Sequence, residues 1–151
     1  MQVLIAAAGD TALVAPLFNA YRMFYGLPSD FNAAQHFLDA RIRREESIVL
    51  YATGPDPLGF AQLYPTFSSL QLAPVIVLND LYVRPDVRRR GVARALLLAT
   101  HEIARKRGAV MVTLETARTS AAARPLYVSA GYLTDDAFEH YHVEIGRLEG
   151  G

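Results

Sequence analysis

Three groups of side chains in this sequence have types and spacings that suit chemistry. The first is Arg88-Arg89-Arg90-Gly91-Val92-Ala93-Arg94, which follows an apolar run and opens a helical pattern. A basic turn with one glycine, set between a strand and a helix N-terminus, lets backbone N–H groups and a helix dipole converge on an anion. The second is Asn79-Asp80, polar residues inside the apolar run Val75 to Val83 and close to that turn. Asp80 is the first candidate for a proton acceptor beside the anion site, and Glu115, on the next predicted strand, is the second. The third is Tyr21, Phe24, Tyr25 and Asp30, an aromatic cluster with one carboxylate that suits an alkylammonium through cation–π contact and charge.

Other chemistries are excluded or left without support. There is no cysteine, so disulfides, thiolate metal ligands and a cysteine nucleophile are absent. His140 and His142 fall on one face of a predicted strand, but a metal there needs more ligands than the sequence shows, so no metal is expected. Neither Gly-x-Gly-x-x-Gly nor a Gly-Lys-Ser/Thr loop occurs. Fifteen basic residues balance fifteen acidic ones, so no overall field draws the chain to nucleic acid or an anionic membrane. The charge is local instead: five arginines lie between Arg84 and Arg94, which suits one small anionic ligand. No stretch approaches the ~20 apolar residues that span a bilayer. Met1 to Ala8 reads as a first strand rather than a signal segment, and the cytoplasm is the expected location.

These groups need a frame to hold them. At 151 residues and 52% apolar, the chain can bury one full core, and a single domain over 1–151 is expected. Gln2 to Ala8 predicts a strand. Leu13, Val14, Leu17, Phe18, Tyr21 and Phe24 recur at three and four, predicting a helix from Thr11 to Tyr25 that ends at Gly26. A second helix, about Phe31 to Arg43, follows the cap Pro28-Ser29-Asp30, with Phe37, Leu38 and Ile42 inward. Ser47 to Thr53, Leu58 to Phe67 and Leu72 to Val83 predict three consecutive antiparallel strands, the first two joined at Gly54-Pro55-Asp56-Pro57. Pro65 marks an end, a bulge or an edge in the second of them. Val92 to Ala104 predicts a third helix closed by Lys106-Arg107-Gly108. Val110 to Glu115 then returns as a strand through a parallel crossover. Ser120 to Ala130 predicts a fourth helix stopped by Gly131, Phe138 to Ile145 a last strand, and Arg147 to Gly151 a loose tail.

In this frame the residues resemble the GNAT superfamily of acyl-CoA-dependent N-acetyltransferases. Arg88, Gly91 and Ala93 match its signature of Arg or Gln, two residues, Gly, one residue, then Gly or Ala, between a strand and a helix. Ala123, Leu126-Tyr127 and Gly131-Tyr132 match a second landmark, in which Ser120 stands where Asn is usual. The resemblance covers nearly the whole chain. It implies a mixed α/β fold: a mostly antiparallel sheet of about seven strands, splayed between strands four and five and flanked by about four helices. Gly59 to Ser69 and Leu78 to Val83 also resemble the branch of small-amine and diamine acetyltransferases. Those diamine enzymes usually carry an acidic residue where Asn79 stands, which leaves a polyamine acceptor open.

The resemblance also implies roles. Acetyl-CoA is the expected co-substrate. Backbone amides from Arg89, Arg90, Gly91, Val92, Ala93 and Arg94 would meet its diphosphate, arginine side chains including Arg88 its phosphates, and the backbone of Leu81, Tyr82 and Val83 its pantetheine. Ser120 and Ala123 would border it on the fourth helix. Tyr127 would protonate the departing thiolate, since a phenol with a reference pKa near 10 is protonated at rest. Asp80, or water, would take the proton of the amine. Tyr21, Tyr25, Asp30, Asn79 and Glu115 are the acceptor-side candidates. The expected acceptor is a primary amine of a small molecule. Acetylation of a protein N-terminus or lysine, and a non-catalytic acyl-CoA-binding module, are the alternatives. A homodimer is expected by analogy with the superfamily.

Overall fold

The computed structural model describes residues 1–148. Five strands form one sheet in the order β1-β2-β3-β4-β5, with β1 Val3–Ile5, β2 Ile48–Ala52, β3 Gly59–Ser68, β4 Ala73–Val83 and β5 Val112–Leu114. β1 to β4 run antiparallel, while β5 lies parallel to β4. Helices α1 (Thr11–Phe24) and α2 (Phe31–Arg43) cover one face, and α3 (Val92–Lys106) covers the other. This is the mixed sheet that the sequence predicts, and α3 is the crossover that makes β4 and β5 parallel.

Each layer has its own core. Val14, Leu17 and Phe18 of α1 meet Ala34 and Leu38 of α2 over Val49, Tyr51, Phe60 and Tyr82 of the sheet. On the other face Val92, Leu96, Leu97 and Ala104 of α3 pack on Leu50, Ala61, Leu63, Ile76 and Leu78. The alternation along β3 decides which residue serves which core: Phe60 and Gln62 face α1, Ala61 and Leu63 face α3. Pro65 lies beyond Leu63, the last residue that β2 pairs, so its missing N–H breaks no rung on that side. Gly26 (φ 84°) closes α1 in the left-handed conformation that glycine tolerates.

Several expectations need correction. Leu13 and Phe24, counted in the buried stripe of α1, are largely exposed, and Phe37 of α2 is 39% exposed, packing at the rim on Phe18. Among the described residues five strands form rather than about seven. Phe138 to Glu144 contains no strand, and Ile145–Leu148 is one short helical turn, α5. Phe138, Tyr141, Val143 and Ile145 are all exposed. Alternation specifies a strand only where an edge receives it, and no strand pairs here on the far side of β5, which is three residues long. The fourth helix is also shorter than expected. Ala121–Ala123 form a 3-10 turn and α4 spans only Arg124–Ser129, because Pro125 lacks the N–H that would tie it back to Ala121 and is tolerated only in a first turn. Ser120 and Tyr127 therefore do not share one helical face. In the expected loose tail, Glu149, Gly150 and Gly151 lie outside the described residues.

Candidate active site

The site is set by an irregularity in β4. Gln62 of β3 stands opposite Asp80, but the next residue, Leu63, stands opposite Leu78, so Asn79 has no partner and forms a β-bulge. The extra residue shifts the phase of everything after it. Ile76 and Leu78 face α3 before the bulge, Leu81 and Val83 face α3 after it, and Asp80 and Tyr82 turn to α1. In a regular strand, with Asn79 taking a rung of its own, Asp80 would share a face with Leu78 and point into the apolar core under α3.

Asp80 is 6% exposed and is the one buried charged side chain among the described residues. Its partners are neutral: Gln62 Nε2 donates to Oδ2 at 2.7 Å and Asn79 Nδ2 to Oδ1 at 3.1 Å. Gln62 is wholly buried, and the carboxylate fixes which way its amide points, since only the NH2 end can face an acceptor. Tyr21 comes down from α1 onto the same group. Burial pushes the Tyr21 phenol far above its ordinary value, and the negative charge of Asp80 pushes further in the same direction. Tyr64 of β3 is raised by the same two causes in the same order.

The same bulge opens the backbone of β4. The β4–β5 ladder covers Ile76, Val77 and Leu78 and stops. Arg84 N–H donates to Leu58 O on the β3 side at 2.9 Å, so by alternation the amide groups of Leu81 and Val83 point the other way, into the gap β5 leaves. The resemblance implies a splay between strands four and five, and the ladder between them ends where that splay would begin.

The basic turn sits at the end of that gap. Gly91 (φ 81°, ψ 9°) is the N-cap of α3, and a Cβ added there would meet nothing within 4 Å. Arg89 also holds a positive φ, 62°, a strained value that a β-carbon disfavours. Arg89 and Arg90 project into solvent, Val92 is buried in the α3 core and Ala93 is half-buried. Arg88 turns back: its Nε donates to Val83 O at 3.0 Å and its guanidinium lies over the rings of Tyr82 (5.7 Å) and Phe24 (5.9 Å). Arg94 reaches Ser129 Oγ at 3.3 Å and ties α3 to α4.

Tyr127 of α4 is half-buried, its ring 6.0 Å from that of Tyr132. Burial raises its phenol, and the neighbouring Tyr25 phenol adds to the shift. Tyr25 in turn packs edge-on against Tyr21 at 5.1 Å. The aromatic end of α1 thus lies between Asp80 and Tyr127. Other predicted residues stand apart. Asp30 caps α2, accepting from Ala33 N at 3.1 Å, Glu115 is exposed one residue past β5, and Ser120 is the N-cap and Ala123 the last residue of the 3-10 turn before α4. Sequence reasoning missed Gln62 as the support of Asp80; its only signal was an amide amid the apolar residues of a central strand.

A bulge that turns a carboxylate toward one helix layer, an open strand edge and a glycine turn at a helix N-terminus together define a narrow class of protein. The model of the Acetyltransferase (GNAT) family matches residues 14–132, from α1 through α4 to Tyr132. The chain belongs to the GNAT family. This GNAT chain is 42% identical over 146 residues to the uncharacterized N-acetyltransferase YhfO of Bacillus subtilis (strain 168), covering 96% of this chain and 98% of that protein. It is 35% identical over 100 residues to the aminoglycoside N(6')-acetyltransferase type 1 of Klebsiella aerogenes, covering 64% of this chain and 65% of that one. A crystal structure of a probable acetyltransferase superposes with a TM-score of 0.90 at 39% identity, covering 96% of this chain and 98% of the other. The GNAT protein described here is an acetyltransferase by these relationships, and GNAT enzymes take their acetyl group from acetyl-CoA. Among the described residues no group of three His, Cys, Asp or Glu side chains could hold a metal, and no helix is long and apolar enough to cross a membrane.

Proposed function

We propose that this protein transfers the acetyl group of acetyl-CoA to a primary amine of a small molecule by direct attack, with both substrates bound at once. The residues present fit the co-substrate on two counts. The free amides of Leu81 and Val83 offer an extended amide-bearing chain a strand edge, and the open space over Gly91 admits a phosphate close to the α3 N-terminus. Acetyl-CoA supplies the activated acetyl carbon and a thiolate leaving group. The backbone of Arg89 to Arg94 binds the diphosphate, and the N–H of Leu81 faces the thioester oxygen, where charge develops. Asp80 takes the proton that the ammonium must lose, directly or through water, so that the amine lone pair is free to form the C–N bond. As the C–S bond breaks, the Tyr127 hydroxyl gives its proton to sulfur, and the phenolate is reprotonated, directly or through water, by the second proton that nitrogen sheds on becoming an amide.

The buried carboxylate of Asp80, held by neutral donors beside the open edge of β4, is the observation that carries this reading. The test is a thiol-release assay on the full chain over a panel of amines. Asp80→Asn and Tyr127→Phe should each lower kcat by about 100-fold or more, the usual range for losing a general acid or base. Their dissociation constants for acetyl-CoA should stay near the parental value. If Tyr127→Phe turns over every active amine at the parental rate, the acid assignment is wrong. A parental protein that does not bind acetyl-CoA would sink the whole reading.

A further inference from the structure

The charges and exposed side chains around Asp80 point to the acceptor more narrowly, on the reading of Asp80 given above. We infer that the acceptor carries a single positive charge on an apolar, preferably aromatic, body, with its ammonium on Asp80 and its body along the connection between α1 and α2.

The charge count comes first. None of the ion pairs among the described residues involves Asp80, so the buried carboxylate is stabilised only by amides and a phenol. A buried carboxylate in that state gains most from a cation that enters with the ligand. Three other carboxylates of the α1–α2 layer already have partners. Asp30 caps α2, Asp39 pairs with Arg43 at 2.8 Å and Glu46 pairs with Arg41 at 3.1 Å. A second ammonium on the same ligand would have to compete with these partners. It meets a cation instead: Arg88, over Tyr82 and Phe24, which is in none of the ion pairs among the described residues. Positive charge at the rim and one negative charge inside select against polycations.

The body follows from what the chain leaves uncovered. Between Tyr21, which touches the Asp80 environment, and α2, the sequence exposes Met23 (49%), Phe24 (61%), Tyr25 (53%), Leu27 (46%) and Phe31 (40%). A contiguous apolar segment of this kind marks a binding surface. Its rings are continuous with the site, Tyr25 against Tyr21 at 5.1 Å and Phe24 beside Tyr82 at 6.5 Å. They offer faces and edges to a hydrocarbon or an aromatic ring and no hydrogen-bonding lattice for a sugar.

The test compares 2-phenylethylamine, n-butylamine, spermidine, kanamycin and a peptide with an N-terminal phenylalanine in the thiol-release assay. The expected kcat/KM for 2-phenylethylamine is at least tenfold above n-butylamine and a hundredfold above spermidine and kanamycin. Phe24→Ala, at an exposed position where folding is not at risk, should shrink the ratio of 2-phenylethylamine to n-butylamine at least threefold. A polycation or the peptide as the best substrate overturns the inference, and so does a ratio near one. If no amine is turned over although acetyl-CoA binds, the proposed function fails, and recognition is read separately by calorimetry on protein saturated with coenzyme A. There, binding of 2-phenylethylamine that weakens at least tenfold in Asp80→Asn supports the inference, and no binding, or equal binding by spermidine, overturns it.

Discussion

Gly91 separates a residue needed by the turn from one needed by the ligand. Its φ of 81° is left-handed, and a side chain held there costs about 1–2 kcal/mol. No steric penalty adds to this, because a Cβ at Gly91 meets nothing within 4 Å. In a chain of 151 residues each kcal/mol moves Tm by about 2–4 °C, so Gly91→Ala should lose about 2–8 °C and still fold. Gly108, after α3, gives a matched control: its φ is 71°, its Cβ space is equally open, and it lies at the opposite end of the helix from the basic turn. Gly108→Ala should lose about as much stability. The two variants should part in acetyl-CoA binding. A methyl group on Gly91 occupies the approach to the α3 amides and removes at least one charge-assisted contact, worth about 1.5–3 kcal/mol. Since about 1.4 kcal/mol is tenfold, calorimetry should show the Kd of Gly91→Ala raised at least tenfold and that of Gly108→Ala unchanged. If both variants are destabilised alike and both bind acetyl-CoA like the parent, Gly91 serves only the turn and the diphosphate is not bound there.

Three further outcomes follow from the same geometry. Burial holds the Tyr127 phenol protonated above its ordinary range, so a pH–rate profile should keep its alkaline limb above about pH 10; a limb set by a group titrating near neutrality would remove Tyr127 as the acid. His101, bonded to the Tyr132 hydroxyl at 2.9 Å, is depressed by burial and then by Arg105, so the folded state binds its proton less readily than the unfolded chain does. Stability should therefore fall as pH drops below about 6.5, the unfolded value, and urea midpoints should show a shallower fall in His101→Gln; equal slopes would refute it. Gln62→Leu removes a buried donor to a carboxylate and should lower stability by about 1–3 kcal/mol in urea unfolding, with an unchanged midpoint counting against the support assigned to Gln62.

The sequence was most readable where one periodic face meets one core. α1, α2 and α3 and the antiparallel run β2 to β4 have bounds within a few residues of those read from spacing and turn residues. Legibility failed where the outcome depends on a partner or on one backbone detail. The alternation from Phe138 to Ile145 is a good strand pattern with no paired edge, and Pro125 converts the first turn of the last predicted helix to 3-10 geometry. At the site, Gly91 was visible because left-handed backbone selects glycine. Gln62 was not, because an amide amid apolar residues does not show its role until its carboxylate partner is placed opposite it. The bulge was hidden too. The run Val75 to Val83 is apolar on both sides of Asn79-Asp80, so nothing in it shows where the alternation skips.

That skipped residue links the two halves of the proposed reaction. A single extra residue at Asn79 turns Asp80 away from the α3 core and toward Tyr21, which prepares the acceptor side. It lies one residue past Leu78, where the pairing to β5 stops, and the backbone beyond it points into the gap. A carboxylate on one face and a free strand edge along the other are thereby held a residue or two apart on the same strand, a separation fixed by covalent geometry rather than by packing. Deleting Asn79 makes the ladder regular: Asp80 then follows Leu78 directly, and alternation keeps it facing α1, so the deletion should still fold. What it loses is the amide donor to Asp80 and the local bend that the bulge gives β4 where its pairing to β5 stops, whereas Asn79→Ala keeps the bulge and removes only one hydrogen bond. Thiol release and acetyl-CoA binding of the two variants distinguish these cases: the deletion should be the weaker in both, and a deletion as active as Asn79→Ala would show that the free edge of β4 does not depend on the bulge.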